Sequence, residues 1–263
     1  MELGLKNKTA LVTASSKGLG RACAEALAAE GTGVTICARN EADLEKTREE
    51  ISRTTGADIF AIVADMTNPE HVDRVVKETV SHFGQLHILI TNAGGPPGGD
   101  FFDFDDAAWL EAFELSMMSV VRLIRATVPY MQSVKWGRII NITSLSVKEP
   151  LAPLVLSNAI RPSVHGLAKT LSNQLGKDGI TVNNILPGYT RTDRIIEYGK
   201  ALAKQSGKSL SAVFEEMGKP VPLGRIGEPE ELGALAAFLA SEKAAYITGA
   251  SIPVDGGAIK AAF

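Results

Sequence analysis

Small and hydroxyl-bearing residues fill one turn near the start of the chain, with the sequence Thr-Ala-Ser-Ser-Lys-Gly-Leu-Gly at positions 13–20. The turn follows an apolar run typical of a β-strand and precedes a stretch with helical spacing of apolar residues. In such a turn, backbone N–H groups can bind a pyrophosphate at the positive end of the helix. Small residues also occur there for close packing alone, and Ala14 stands where glycine is the usual turn former. The residues that we expect to contact a dinucleotide are Thr13, Ser15, Ser16, Lys17, Gly18, Leu19 and Gly20.

Polar or small residues also follow three other apolar runs that predict strands. They are Asp65-Met66, Asn92-Ala93-Gly94, and Pro187-Gly188 with Thr192. Each group lies where its strand ends, and ligands bind along that carboxyl edge in an open α/β sheet. Chance explains this repeated placement poorly, so we expect these groups and the turn at 13–20 to form one site.

The elements that position these groups alternate along nearly the whole chain of 263 residues. Short apolar runs rich in β-branched residues predict buried parallel strands at 9–13, 34–38, 59–63, 88–91, 138–142, 181–186 and 251–254. Helical spacing of apolar residues predicts helices at 18–29, 41–54, 69–83, 105–131, 153–177 and 228–240. The alternation predicts an α/β fold, a doubly wound parallel sheet of about seven strands in a single domain.

One segment, residues 189–222, interrupts the alternation. It is too long for a simple helix-to-strand loop, and it contains short helical stretches around 192–204 and 209–217. We expect it to form a mobile lid over the carboxyl ends of the strands.

Composition excludes several classes of protein. The net charge of −3 and the pI near 5.9 argue against a nucleic-acid or membrane surface. Cys23 and Cys37 fall in different predicted elements, so we expect two buried free thiols, with neither a disulfide nor a metal site. The first residues lack the apolar region of a secretion signal, and we expect a cytoplasmic protein.

The motifs, taken in this order, resemble those of the short-chain dehydrogenase/reductase family, most closely the branch of 3-oxoacyl-carrier-protein reductases. The resemblance extends over essentially the whole chain. It implies that residues 13–20 match the TGxxxGxG motif and that Asp65-Met66 contacts the adenine. It also implies that residues 92–94 support the sheet beside the cofactor, and that Pro187-Gly188 with Thr192 contacts the nicotinamide end.

The charge at the end of the second predicted strand indicates which cofactor is used. An NAD enzyme usually has an Asp or Glu there for the ribose 2′-hydroxyl. Here the strand ends in Cys37-Ala38-Arg39-Asn40, and Arg39 can stack on the adenine and bind a 2′-phosphate. Lys17 adds a second positive charge nearby, although both could be solvated surface charges. These residues favour NADP(H).

The family works with four side chains, an Asn, a Ser, a Tyr and a Lys. The resemblance places Ser116, Ser144, Ser157 and Arg161 at these positions, in that order. Only Ser144 keeps the family's residue type. A serine hydroxyl is a much weaker acid than a phenol, and a guanidinium effectively never deprotonates. We therefore expect Arg161 to retain a role in holding the nicotinamide ribose, and the proton relay to be lost.

The shape of this catalytic region leaves alternatives open. Ser157 and Arg161 are four residues apart, so they lie on one helical face and could both face the cofactor. Pro162 follows directly, and it either bends the predicted helix or indicates that the helix begins later. Tyr189 or Tyr198 could replace the missing acid, although tyrosines at such positions more often only pack.

Two functions from different classes remain. The first is an NADP(H)-dependent oxidoreductase that interconverts a carbonyl and a secondary alcohol of a small molecule, with an atypical catalytic site. The alternative is a catalytically silent NADP(H)-binding protein, a sensor or an assembly partner. Non-redox chemistry in the same pocket has little support. The family resemblance also implies a homotetramer or homodimer, in which the long helices at 105–131 and 153–177 pack across a two-fold axis.

Overall fold

The computed structural model describes residues 2–261, which form one layered α/β unit. Seven parallel strands form a single sheet in the order β3-β2-β1-β4-β5-β6-β7. The strands are β1 (Thr9–Thr13), β2 (Gly33–Ala38), β3 (Ile59–Val63), β4 (Ile88–Thr91), β5 (Gly137–Ile142), β6 (Ile180–Pro187) and β7 (Ser251–Val254). The strand order reverses between β1 and β4, and such a reversal opens a crevice at the carboxyl ends of the strands. The predicted fold class is confirmed.

Helices cover both faces of the sheet. They are α1 (Gly18–Ala29), α2 (Glu41–Thr55), α3 (Pro69–Phe83), α4 (Asp106–Phe113), α5 (Ser119–Ser133), α6 (Val155–Leu175), α7 (Asp193–Ser206), α8 (Leu210–Gly218) and α9 (Pro229–Ala240). Ala10 and Val12 of β1 pack with α1, α2 and α9, whereas Leu11 packs with α3, α5 and α6. Successive strand residues point to opposite faces, which explains why these runs are apolar throughout.

The stretch predicted as a helix at 105–131 is helical without interruption from Asp106 to Ser133. α4 ends at Phe113, a wider π-helical turn covers Glu114–Met118, and α5 follows. The apolar spacing continues on both sides of the turn, so the sequence pattern did not reveal it. Such turns occur frequently at functional sites, and this one contains Ser116.

The helix predicted at 153–177 begins at Val155, later than expected, yet Pro162 remains inside it. Proline has no N–H, so the carbonyl of Asn158 receives no hydrogen bond from that position. The bend remains a prediction.

Residues 189–222 contain the two expected helical pieces, α7 and α8. Gly199 allows them to pack closely, since a Cβ there would lie 2.7 Å from the ring of Phe214. The mobility of this segment remains a prediction. Within residues 2–261, we find no helix with the length and apolar character needed to cross a membrane. Cys23 and Cys37 are buried free thiols, as expected.

Candidate active site

The turn at 13–20 is fixed by its own hydroxyl groups. Thr13 donates its hydroxyl to the carbonyl of Asn92 at 2.7 Å, and Asn92 donates its amide N–H back to that hydroxyl. The hydroxyl of Ser15 donates to the carbonyl of Val12 and accepts a hydrogen bond from the backbone N–H of Cys37. Both side chains are fully buried. Thr13 and Ser15 therefore hold the turn against β4 and β2, and a dinucleotide can meet only their backbone.

The N-terminus of α1 is open to an anion. Its N-cap residue, Lys17, makes no capping side-chain hydrogen bond among the described residues, and the first turn contains no acid. In contrast, Asn40 and Asn68 cap α2 and α3. Gly20 lies so close to the turn that a Cβ would be 2.5 Å from the carbonyl oxygen of Ala14. The first-turn N–H groups of α1 can therefore bind phosphate oxygens at the strand-order reversal.

Two cations lie near the ends of β2 and β3. Arg39 is exposed directly after β2 and close enough to Asp65 to act on its ionisation. Burial raises the pKa of Asp65, but hydrogen bonds from the backbone N–H and hydroxyl of Thr67, with the charges of Arg39 and His71, outweigh it and lower the pKa overall. Lys17 forms an exposed ion pair with Asp43 at 2.8 Å. Exposed pairs are weak, so Lys17 can exchange Asp43 for a ligand's phosphate.

A mostly apolar cavity of about 420 Å³ lies beside the turn, under α7. It brings together several of the predicted site residues, namely Leu19, Ser144, Ser157, Arg161, Pro187, Gly188 and Thr192. Tyr189 and Tyr198 also line it, and both side chains are partly exposed. The residues predicted for the cofactor and those predicted for chemistry thus share one space.

The serines of this cavity are connected through a residue that the sequence interpretation did not include, Ser146. Its hydroxyl lies 3.3 Å from the hydroxyl of Ser157, and its backbone N–H donates to the hydroxyl of Ser144 at 3.1 Å. Ser144 and Ser157 share no direct hydrogen bond within residues 2–261. Ser146 lies two residues after Ser144, just beyond the end of β5, and this spacing of two hydroxyl residues is the sequence feature that could have identified it.

Arg161 lies half-buried in the lining of the same cavity. Its guanidinium donates to the backbone carbonyl of Thr143 and, at 3.5 Å, to that of Ile142. Burial, together with the charge of Arg194, lowers the pKa of Arg161 to about 10. Arg161 therefore stays positively charged at neutral pH and cannot give up a proton there.

Ser116 lies outside the large cavity. It lines a separate space of about 20 Å³ that also touches Asn141 and Arg161. Its buried hydroxyl has no hydrogen-bond partner within the described residues. This space is large enough for one water molecule, and the hydroxyl offers it a polar partner. Ser116 and Arg161 thus line the same small space, and the catalytic role of Ser116 remains a prediction.

A second residue missing from the sequence interpretation, Arg194, also lines the large cavity. It belongs to the first turn of α7 and donates to the carbonyl of Pro96 at 3.2 Å, across the cavity mouth. Both Arg194 and its neighbour Arg191 are exposed, and nothing in the local sequence distinguishes them.

Comparison with known proteins finds relatives that match nearly the whole chain. The sequence model of the family described as enoyl-(acyl carrier protein) reductase matches residues 13–258. The 3-oxoacyl-[acyl-carrier-protein] reductase of Vibrio cholerae is 33% identical over 97% of this chain and 98% of its own. An NADPH-dependent reductase of Bacillus subtilis is 33% identical over 97% and 99% of the two chains. The crystal structure of L-sorbose reductase from Gluconobacter frateurii, in complex with NADPH and L-sorbose, has a TM-score of 0.96 and 34% identity over 99% of this chain and 100% of its own.

Proposed function

We propose that this chain, which belongs to the short-chain dehydrogenase/reductase family, is an NADP(H)-dependent oxidoreductase that interconverts a carbonyl and a secondary alcohol. The observation that supports it most is the shared cavity of about 420 Å³. Leu19 and Thr192 of the cofactor region line it together with Ser144 and Arg161 of the chemical region. A cofactor and a small carbonyl substrate could therefore meet there. The relatives are named as reductases, two of them with NADPH, which supports the same reaction.

The residues present fit NADP(H). The uncapped N-terminus of α1, with Gly18 and Gly20 close behind it, suits the pyrophosphate. Arg39 and Lys17 suit the 2′-phosphate, because a guanidinium binds phosphate oxygens with paired hydrogen bonds. We assign Asp65-Met66 to the adenine, Asn92-Ala93-Gly94 to support of the cofactor groove, and Pro187-Gly188 with Thr192 to the nicotinamide end. When bound, NADPH supplies a hydride.

The side chains of the cavity orient the substrate and stabilise charge on its oxygen. Ser144 donates its hydroxyl to the carbonyl oxygen, and the hydroxyls of Ser146 and Ser157 form a polar wall beside it. The charge of Arg161 stabilises negative charge on that oxygen and binds ribose hydroxyls. None of these groups gives up a proton readily at neutral pH, so water supplies the proton that completes the alcohol. The rate then falls by about 10²- to 10⁴-fold relative to a site with a matched acid. The catalytic site is thus atypical, and its turnover rate is low.

The test is NADPH oxidation with a panel of ketones and 3-oxoacyl thioesters, followed by absorbance and product analysis. We expect slow turnover that Ser144→Ala abolishes, with NADPH binding by calorimetry unchanged in this variant. If no carbonyl compound consumes NADPH, the proposal is refuted.

The alternative, a silent NADP(H)-binding protein, has one observation in its favour. The hydroxyl of Ser157 is within hydrogen-bonding distance of Ser146, and Arg161 uses its guanidinium on backbone carbonyls. A site needed only for binding would tolerate both arrangements. Tight NADPH binding with no turnover of any substrate would favour this alternative.

We also propose that the chain assembles as a homotetramer or homodimer. Phe101, Phe102, Leu110 and Phe113 expose large apolar side chains on and before α4, the helix that leads into α5. Exposed apolar side chains grouped on one surface are typical of a subunit contact. We also propose that residues 189–222 form a mobile lid, since Arg194, Ile195 and Tyr198 of α7 line the cavity.

A further inference from the structure

Two positive charges face the large cavity, and its lining within the described residues contains no carboxylate. Arg161 lies under the cavity and Arg194 at its mouth. Neither arginine forms an ion pair within residues 2–261. Arg161 is half-buried and Arg194 is exposed at the mouth, so two guanidinium groups without an acidic partner repel each other across a mostly apolar space. An anion placed between them would relieve that repulsion.

Arg194 has the free donors that such an anion needs. Its hydrogen bond to the carbonyl of Pro96, at 3.2 Å, uses one of five guanidinium N–H groups. The guanidinium lies against Gly95, where a Cβ would overlap it. The glycine therefore leaves room for the charged group at the cavity mouth. The contact with Pro96 uses only one donor, so the remaining N–H groups are available to a ligand.

The charge of Arg194 acts on groups inside the cavity. Burial is the larger cause of the lowered pKa of Arg161, and the positive charge of Arg194 is the smaller one, so the two guanidinium groups interact across the space. Leu151, Leu154 and Ile195 contribute apolar wall. The cavity thus combines a positive end with an apolar body, which suits a short carbon chain with one anionic group.

We propose that the substrate of this chain carries a carboxylate, and that Arg194 is the residue that selects it. This inference rests on the proposed function, since it assumes that a carbonyl compound occupies the cavity beside NADP(H). The carboxylate accepts hydrogen bonds from Arg194 while the carbonyl oxygen faces Ser144. Arg161 adds long-range attraction from below.

The phosphates of the cofactor are a second source of anionic oxygen, and the experiment separates the two sources. The probes are 2-oxopentanoate, 4-oxopentanoate and their methyl esters, titrated by calorimetry into protein saturated with NADP⁺. Oxidised cofactor and a ketone cannot react, so binding is measured without turnover. NADP⁺ is titrated alone in a separate arm. A failure of catalysis therefore leaves this measurement intact.

The variants are Arg194→Gln, Arg194→Lys and the control Arg191→Gln. Arg191 is a neighbouring arginine of the same segment, but it is paired with Glu228 and lies over Phe214, away from the cavity lining. We expect at least one acid to bind about ten-fold more tightly than its ester, the usual effect of a hydrogen bond to a charged group. Arg194→Gln should abolish that preference, Arg194→Lys should keep part of it, and Arg191→Gln should leave it unchanged.

Each contrary result overturns the proposal. Undetectable binding of the acids, or equal binding of acid and ester, shows that the cavity does not select a carboxylate. A preference that persists in Arg194→Gln assigns it to another residue. If Arg194→Gln weakens NADP⁺ binding and the acids show no preference over their esters, the anion at Arg194 is a cofactor phosphate.

Discussion

Ser157→Tyr combined with Arg161→Lys should raise the rate of carbonyl reduction. Ser157 borders the cavity of about 420 Å³, so a phenol has space to reach the substrate oxygen beside Ser144. Its neighbour Ser146 lies 3.3 Å away and can reorient without breaking a backbone hydrogen bond.

The second substitution is needed because the guanidinium of Arg161 holds its proton at neutral pH and cannot exchange it. Burial and the charge of Arg194 lower the pKa of Arg161 from its ordinary value to about 10, which still leaves it charged. The same surroundings would lower the pKa of a lysine, ordinarily about 10.4, towards neutral pH. A lysine there can therefore exchange a proton and also depress the pKa of the phenol. Installing a general acid contributes about 10²- to 10⁴-fold, or about 3 to 5 kcal/mol of activation free energy.

The assay is steady-state NADPH oxidation on parent and variants with the same ketone panel. The matched control is Ser157→Phe with Arg161→Lys, which adds the ring without the hydroxyl and should give no gain. An equal gain in this control would assign the effect to cavity shape. A parent rate near 10 per second, typical of enzymes, would also refute our reasoning, and Tyr189→Phe and Tyr198→Phe would then identify the acid in use.

Three further predictions follow from the described contacts. Calorimetry should show tighter binding of NADPH than of NADH, and Arg39→Ala should remove about 1.5 to 3 kcal/mol of that preference; equal affinities in the parent would contradict the assignment of Arg39. Gly20→Ala should lower the free energy of unfolding by about 1 to 3 kcal/mol in denaturant titrations, because its Cβ would lie 2.5 Å from a backbone carbonyl. Gly166→Ala, where a Cβ meets nothing within 4 Å, is the control and should lose no stability. Light scattering should show an oligomer that Phe102→Asp weakens, since Phe102 is 95% exposed; a monomeric parent would rule out this assembly.

The sequence alone determined the layered fold and the edge of the sheet at which we propose that ligands bind. β1, β3, β4 and β7 have the predicted bounds, because each is a short run rich in apolar and β-branched residues that ends at small or polar residues. The groups at 13–20, 92–94 and 187–188 each follow a strand, and parallel strands bring their carboxyl ends to one edge. Local pattern therefore sufficed to predict which parts of the chain meet.

The tertiary structure alone decided which side chains work together at that edge. The π-helical turn at Glu114–Met118 keeps the apolar spacing of the helices around it, so it has no sequence signal of its own. The contact between Ser146 and Ser157 joins a loop to a helix, and Arg194 reaches Pro96 from an element far along the chain. These contacts depend on how elements pack against one another in three dimensions, which residue periodicity along the chain does not encode.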